Sequence, residues 1–306
     1  MRYGAHPWTL RQLQYAVAVA ELKSFRRAAE QCHVSQPSLS AQLAQLERAL
    51  GVQLFERDRR RVLSTRAGEQ LVERARRILL EADDLLEAAR GLADPQAATL
   101  KVGVIPTLSP YLLPEIAPAL KREHPRLSVL WLEAQTAQVL ARLESGELDA
   151  GLLAMVGGLE HLEQEVVGDD AFVLATPRDH PLARSKKPVA LRELAGHELL
   201  LLDDGHCFRD QALEVCKGAR TGEAGFRATS LTTLAQMVAS GAGITLLPEI
   251  ALAAENPHGR LAIRSFAPPV PHRTLAVAWR RASPLAAAAR ALAGTVARTL
   301  AARRAR

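Results

Sequence analysis

The chain has 306 residues, 48% hydrophobic and 24% charged, with a formal net charge of +6. That length asks for two or three domains, and the balance excludes fibrous, disordered and membrane-spanning classes. The excess charge is segregated: residues 1–66 hold 11 basic and 5 acidic side chains, whereas residues 67–306 hold 28 of each. A polyanion would therefore be drawn to the first fifth of the chain. The first eight residues, MRYGAHPW, contain no apolar export segment, and the apolar stretch Leu285–Ala302 is interrupted by Arg290 and Arg298. A cytoplasmic protein with no membrane partner is expected.

Thr9 and Gln12 have capping-box spacing, and Leu10, Leu13, Val17 and Ala20 follow at helical intervals. A second short helix fits Ser24 to Cys32, with Phe25, Ala28, Ala29 and Cys32 facing inward. His33 and Val34 make a turn, and Ser35 caps a third helix whose first turn tolerates Pro37. Leu39, Leu43, Leu46 and Leu50 mark its buried stripe, and Gly51 stops it. Three short helices with a tight turn before the third describe a helix-turn-helix. The polar end of the third helix carries Ser35, Gln36, Ser38 and Ser40, side chains able to meet phosphates and base edges in a major groove. Taken singly each is an ordinary cap or surface residue; with the charge asymmetry they point to double-stranded DNA. Leu54 to Leu63 then reads as a two-stranded wing whose tip, Arg57-Asp58-Arg59-Arg60-Arg61, would touch the flanking backbone.

From residue 65 to about 93 the pattern changes. Leu71, Ala75, Ile78, Ala82, Leu85, Ala89 and Leu92 recur at steps of four and three, a coiled-coil seam that Ser64 or Thr65 would cap. Such a helix would run on the order of 40 Å. It has too little of its own chain to cover the seam, so a homodimer is expected; the competing reading packs it on its own sensing domain.

Asp94-Pro95-Gln96 ends that helix, and short apolar strands then alternate with helices. Strands are expected at 100–105, 127–132 and 149–153, with helices near 110–122 and 136–145. After Gly157-Gly158 a second series is expected at 172–175, 198–202, 243–247 and 274–279. The fold class is α+β multi-domain. An N-terminal winged helix-turn-helix (1–66) is followed by a long coiled-coil linker helix (67–96). A two-lobed α/β regulatory domain of periplasmic-binding-protein type completes the chain (97–306). Its first lobe would take 97–167 and 273–306, its second 168–272, with crossings near 165 and 270 and a ligand cleft between them.

Three cysteines remain. Cys32 reads as a packed structural thiol, and no CxxC or zinc-ligand spacing occurs. Cys207 and Cys216 lie in the run Asp203-Asp204-Gly205-His206-Cys207-Phe208-Arg209-Asp210-Gln211 and the five residues after it. Gly205 gives a turn, which places Cys207 at a helix N-terminus with His206 and Arg209 as neighbours. Positive potential there favours the thiolate. In a regular helix Cys216 stands about 13 Å further along the axis, whereas a disulfide needs Cα atoms within about 7 Å. Joining the two would remodel the helix, a bistable redox element; two small buried cysteines without chemistry is the plainer alternative.

The run FRRAAEQCHVSQPSLSAQLAQLERALGVQLFERDRR resembles the winged helix-turn-helix of the LysR-type regulators, as does Ser240-Gly241-Ala242-Gly243-Ile244-Thr245-Leu246-Leu247-Pro248 further on. The resemblance implies that Ser35, Gln36, Pro37, Ser38 and Ser40 lie at the DNA, with Arg57, Arg59 and Arg60 in the wing. The string LLLLDDGHCFRDQALEVC, with Gly103-Val104-Ile105-Pro106-Thr107, Glu133-Ala134-Gln135-Thr136 and Phe226-Arg227-Ala228-Thr229-Ser230, is similar to the peroxide-sensing members of that family. That similarity implies hydrogen peroxide as stimulus, Cys207 as the thiolate that becomes a sulfenic acid, and Cys216 as the thiol that resolves it to a disulfide. It further implies a peroxide pocket of Thr107, Thr136, His206 and Arg273, with Arg209 and Asp210 in the cysteine's surroundings. It also implies a homotetramer built on the linker-helix dimer, and RNA polymerase as a partner. No cofactor or metal is implied. Three classes follow in order: a peroxide-sensing regulator, a regulator answering a small organic effector in the cleft with inert cysteines, and a thiol peroxidase. The last would leave the DNA module without purpose.

Overall fold

The computed structural model describes residues 6–57, 62–93, 99–155, 157, 159, 161–217 and 221–304. Arg59, Arg60 and the expected linker Asp94-Pro95-Gln96 lie outside the described residues, as does Gly158. The chain divides into two compact units, Met1–Ala89 and Arg90–Arg306.

The first unit contains α1 (Leu10–Leu22), α2 (Phe25–Gln31), α3 (Gln36–Leu50), the strands β1 (Phe55–Arg57) and β2 (Val62–Ser64), and α4 (Arg66–Ala93). Thr9 and Gln12 form the expected capping box, Ser24 and Ser35 cap α2 and α3, and Gly51 ends α3 in the left-handed region. His33 takes a positive φ in the turn between α2 and α3. The core differs from expectation at α1. Leu10 is 44% exposed, and burial falls on Leu13, Tyr15, Ala16, Ala18 and Val19. Because α1 packs against both α2 and α3, its buried face is wider than, and rotated from, the single stripe read from its sequence. Thr65 caps α4, its Oγ1 accepting from the Gly68 N–H at 2.9 Å. A Cβ on Gly68 would stand 2.0 Å from the Leu54 carbonyl, so only glycine lets α4 seat this closely under the wing. The seam of α4 divides. Ala75 is buried in this unit's own core and Leu71 packs against it, joined by Val72 and Leu79 from outside the expected seam. Ile78 and Leu85, further along, are exposed, as is Leu86 beside them.

The second unit begins with β3 (Thr99–Val104), α5 (Ser109–Glu123), β4 (Ser128–Glu133), α6 (Thr136–Ser145) and β5 (Ala150–Ala154). β3 lies between β4 and β5, parallel to both. Then comes β6 (Leu162–Pro177), a single strand where the sequence shows only its apolar second half. It is followed by β7 (Glu198–Leu202), α7 (Cys207–Cys216), β8 (Gly222–Ala228), α8 (Leu231–Ala239), β9 (Thr245–Pro248), α9 (Leu252–Glu255), β10 (Leu261–Ser265), β11 (His272–Arg280) and α10 (Ala286–Arg304). β6 joins two sheets. Leu162–Ala171 pair with β11, which pairs in turn with β5, while Phe172–Pro177 pair with β9 and β10. One apolar core gathers β3, β5, β11, α5, α6 and α10; the other gathers β7, α8, β9 and the end of β6. These are the two lobes, and β6 and β11 are the strands that cross between them. β8, α8 and β10 had no counterpart among the expected elements.

Candidate redox site and nucleic-acid interface

On α3 the apolar side, Leu39, Leu43 and Leu46, is sealed in the core, which turns the other side outward. Gln36, Pro37 and Ser38 are exposed and Ser40 is half-buried. Ser35 Oγ accepts from the Ser38 N–H at 3.4 Å, and Gln36 Nε2 donates to Ser40 Oγ at 3.4 Å. These weak, local bonds hold the side chains in place yet leave them free to exchange partners with a groove edge. Buried Gln12 braces the helix from behind by donating to Gln42 and Gln45. Glu47 Oε1 accepts from the Leu54 and Phe55 N–H groups, so α3 also fixes the start of the wing. Arg57 ends β1 on the wing, and the tip that follows lies outside the described residues.

The second constellation is built on α7, whose first and last residues are cysteines. Both are free thiols and both are buried. Cys207 belongs to the core of the first lobe and Cys216 to the core of the second, so a ten-residue helix spans the two. At 1.5 Å per residue their Cα atoms stand about 13 Å apart along the axis. Burial pushes the Cys216 thiol up to about 11, which keeps it protonated at neutral pH.

The surroundings of Cys207 differ from expectation in two charges. His206, the N-cap of α7, is buried, and desolvation, opposed by Asp203, holds its imidazole below the usual range and neutral at pH 7. Arg209 points the other way. Its Nη1 and Nη2 grip Glu223 at 2.9 and 3.0 Å, and its Nε meets Asp204 at 3.1 Å. Residues two apart on a helix face different directions, so sequence proximity to Cys207 did not translate into contact. Arg209 is a clamp fastening α7 to β8 and to the preceding turn, and Asp210 is exposed. The positive end of the α7 helix remains as a source of potential at Cys207.

Thr107 and Arg273, distant in sequence, are brought together. Arg273 donates from Nη1 to Thr107 Oγ1 at 2.7 Å and from Nη2 to the Thr107 carbonyl at 3.0 Å. With Thr107 Oγ1 accepting there, its own proton is available to a further acceptor. The guanidinium lies 5.3 Å over the ring of Phe208, the residue after Cys207. Asp170, which sequence reasoning missed, neutralises it: Arg273 Nε donates to Asp170 Oδ2 at 2.9 Å, and both side chains are wholly buried. Thr136 begins α6 and is buried, its hydroxyl without a hydrogen-bond partner among the described residues. The neighbouring Gln135 side chain reaches the turn before α7, where a Cβ on Gly205 would come within 2.7 Å of it. Gln211 on α7 donates to the Met155 carbonyl at 3.4 Å, while its own buried Oε1 has no partner among the described residues. Its signal was its place in the cysteine motif. Among the described residues no group of three His, Cys, Asp or Glu side chains has metal-site geometry.

Two family models cover nearly all of this architecture. Residues 10–69 match the bacterial regulatory helix-turn-helix protein of the lysR family, and residues 93–301 match the LysR substrate binding domain. The chain belongs to the LysR family. As a LysR regulator it is a DNA-binding transcription factor rather than an enzyme. Among its relatives, a hydrogen peroxide-inducible genes activator of Pectobacterium carotovorum is 47% identical over 288 residues, 94% of this chain and 95% of that protein. A full-length OxyR variant from Pseudomonas aeruginosa is structurally similar, with a TM-score of 0.77 at 38% identity over 95% of both chains. A hydrogen-peroxide-bound OxyR variant from Corynebacterium glutamicum gives 0.65 at 36% identity, covering 95% of this chain and 92% of that one. Within the LysR architecture, α4 occupies the stretch between the two matched regions, and the cysteine helix lies inside the substrate-binding domain.

Proposed function

We propose that this LysR regulator senses hydrogen peroxide through Cys207 and Cys216 and converts disulfide formation into altered control of promoter DNA. The observation that carries the reading is the placement of the two thiols at opposite ends of one short helix, each in a different lobe's core. The Cys207 thiolate attacks one peroxide oxygen, the O–O bond breaks, and the departing hydroxide takes a proton to leave as water. The sulfenic acid so formed is attacked by the Cys216 sulfur and a second water leaves, so the two electrons lost by the thiols end in the two waters and the oxidation is held as a disulfide. Thr107, with its proton free to donate, and the unpartnered Thr136 hydroxyl would hold the peroxide. Arg273 orients Thr107, and neutral His206 lines the site. Arg209 and Asp210 belong to the helix rather than to the reacting atoms.

Ten residues of helix are marginal without tertiary support, so α7 is the element that must give way for the sulfurs to meet. In this reading 1–66 binds double-stranded DNA through Ser35, Gln36, Pro37, Ser38 and Ser40, with Arg57, Arg59 and Arg60 on the flanking backbone. Residues 67–96 form the dimer, and 97–306 sense, with the lobes divided at 167/168 and 272/273. Homotetramer assembly, contact with RNA polymerase and a cytoplasmic location complete the proposal; no helix among the described residues is long and apolar enough to cross a membrane. The experiment is a thiol count. Stoichiometric peroxide added to the reduced protein should remove two thiols rapidly, and Cys207→Ser should abolish the loss. Unchanged thiols, together with a melting shift induced by a small organic acid, would overturn this in favour of effector binding.

A further inference from the structure

Apart from His206, five acidic or basic side chains are buried among the described residues: Asp170, Arg209, Glu255, Arg264 and Arg273. Four of them are ion-paired: Arg273 with Asp170, Arg209 with Asp204 and Glu223, and Arg264 with Glu193. Glu255 forms no ion pair among the described residues, although it is only 9% exposed. Its hydrogen bonds fall on one oxygen. Tyr111 Oη donates to Oε1 at 2.6 Å and Thr232 Oγ1 donates to the same atom at 2.9 Å. Oε2 receives no hydrogen bond from any described residue. A largely buried carboxylate with no counter-ion among the described residues is poorly compensated, which makes its free oxygen a place that a cation would stabilise.

Glu255 lines a cavity of about 230 Å³ between α8 and α9. Ala235 and Leu261 supply apolar wall, and Gln236, His258 and Arg260 stand around it. Arg260 is exposed, donates from Nη1 to Gln236 Oε1 at 3.0 Å, and has no ion pair among the described residues. The cavity is therefore lined by a buried acid and an exposed base, neither of which has an ion-pair partner among the described residues. A bare metal ion or simple amine would have to pass Arg260, and a simple anion would meet Glu255. The two charges suit a molecule carrying both signs on a short aliphatic body.

We propose that this cavity in the second lobe binds a small zwitterion, with its ammonium group on Glu255 Oε2 and its carboxylate toward Arg260. The site is separate from the cysteine helix and does not rest on the thiol chemistry. It is nonetheless wired toward it: Tyr111, on α5 of the first lobe, inserts into the second lobe's core to reach Glu255, and Thr107 lies four residues before Tyr111, in the turn that leads into α5. An ammonium ion on Oε2 would draw charge from the oxygen that Tyr111 holds, so occupancy bears on the contact between the lobes.

The test uses full-length reduced protein and thermal melting with β-alanine, 4-aminobutyrate and valine as probes, and butyrate and butylamine as single-charge controls. A ligand that binds the folded state alone raises Tm in a saturable way. At least one zwitterion should do so, neither control should, and Glu255→Gln and Arg260→Ala should each weaken the apparent affinity by about tenfold or more. Arg260 is exposed, so its variant folds even if Glu255→Gln does not. The proposal is overturned if no zwitterion shifts Tm, if butylamine matches the best of them, or if Arg260→Ala binds as wild type does.

Discussion

Asp170 and Arg273 are bonded to each other with no exposure of either side chain, and among the described residues each is the other's only ion-pair partner. Removing one partner of such a pair strands a charge in the interior and costs roughly 3–5 kcal/mol. Asp170 does more than neutralise, since its Oδ1 also accepts the Ile250 N–H of the second lobe at 3.1 Å. Asp170→Asn should lower the melting temperature and also slow the first thiol's reaction with peroxide, because Arg273 loses the group that aims it at Thr107. Asp169→Asn is the control: Asp169 accepts only a hydroxyl hydrogen bond from Thr274 among its described side-chain partners, which an amide oxygen also accepts. Melting curves and stopped-flow thiol loss read the two effects, and equal rates in both variants would refute the aiming role. At this scale legibility was uneven. The cysteines announce themselves, and the resemblance supplied Thr107 and Arg273, but no spacing rule puts residue 107 beside residue 273. Asp170 was invisible because a carboxylate ahead of the run Ala171-Phe172-Val173-Leu174 reads as the solvent end of a strand. Only the crossing of β6 and β11 shows that it is interior.

Helix α7 is short, and its N-terminal half is held by the Arg209 clamp to Asp204 and Glu223, while its C-terminal half is held by the packing of Ala212 and Cys216. With Cys216 buried and protonated, attack on a sulfenic acid at Cys207 must wait until that C-terminal half leaves its core. Weakening the helix without touching its core should therefore accelerate the second step alone. Glu214 is exposed and its bond to Lys217 at 3.1 Å is a surface pair, so Glu214→Gly removes about 1 kcal/mol of helix preference and little else. Sulfenic acid formation, followed with a dimedone-type trap, should keep its rate, whereas disulfide formation should quicken by about fivefold. A slower second step would mean that the helix, not its opening, presents Cys216. Elements with strong periodicity were readable in advance, including α3, β7 and the length of α4. The first half of β6 (LEQEVVGDD) and β8 (GEAGFRA) were not. Their charges and glycines give no apolar alternation, and backbone pairing to β11 and β7 holds them as strands.

Across the whole molecule, the charge asymmetry pointed to the DNA-binding end, and the seam of α4 was read as a surface for a second copy. The structure refines that forecast. The first turns of α4 spend Val72 and Ala75 on the helix-turn-helix core, which a heptad count could not separate from dimer contacts. Beyond them, Ile78 is 38%, Leu85 72% and Leu86 57% exposed. An apolar row on a 28-residue helix is a surface that a second copy would cover by the same residues, related by a two-fold axis. Covering one leucine stabilises by roughly 1.5–3 kcal/mol, and a symmetric dimer covers each twice. Leu85→Glu should accordingly raise the dimer dissociation constant by at least about a hundredfold, with the folded monomer's helix content unchanged. Because a symmetric operator is read by two recognition helices one DNA turn apart, the same variant should shrink the footprint to a half-site and weaken binding. Sedimentation velocity and footprinting on one preparation test both. A Leu85→Glu protein that sediments as wild type would move the dimer contact off α4, and a full-length footprint from a demonstrated monomer would remove dimerisation from DNA recognition.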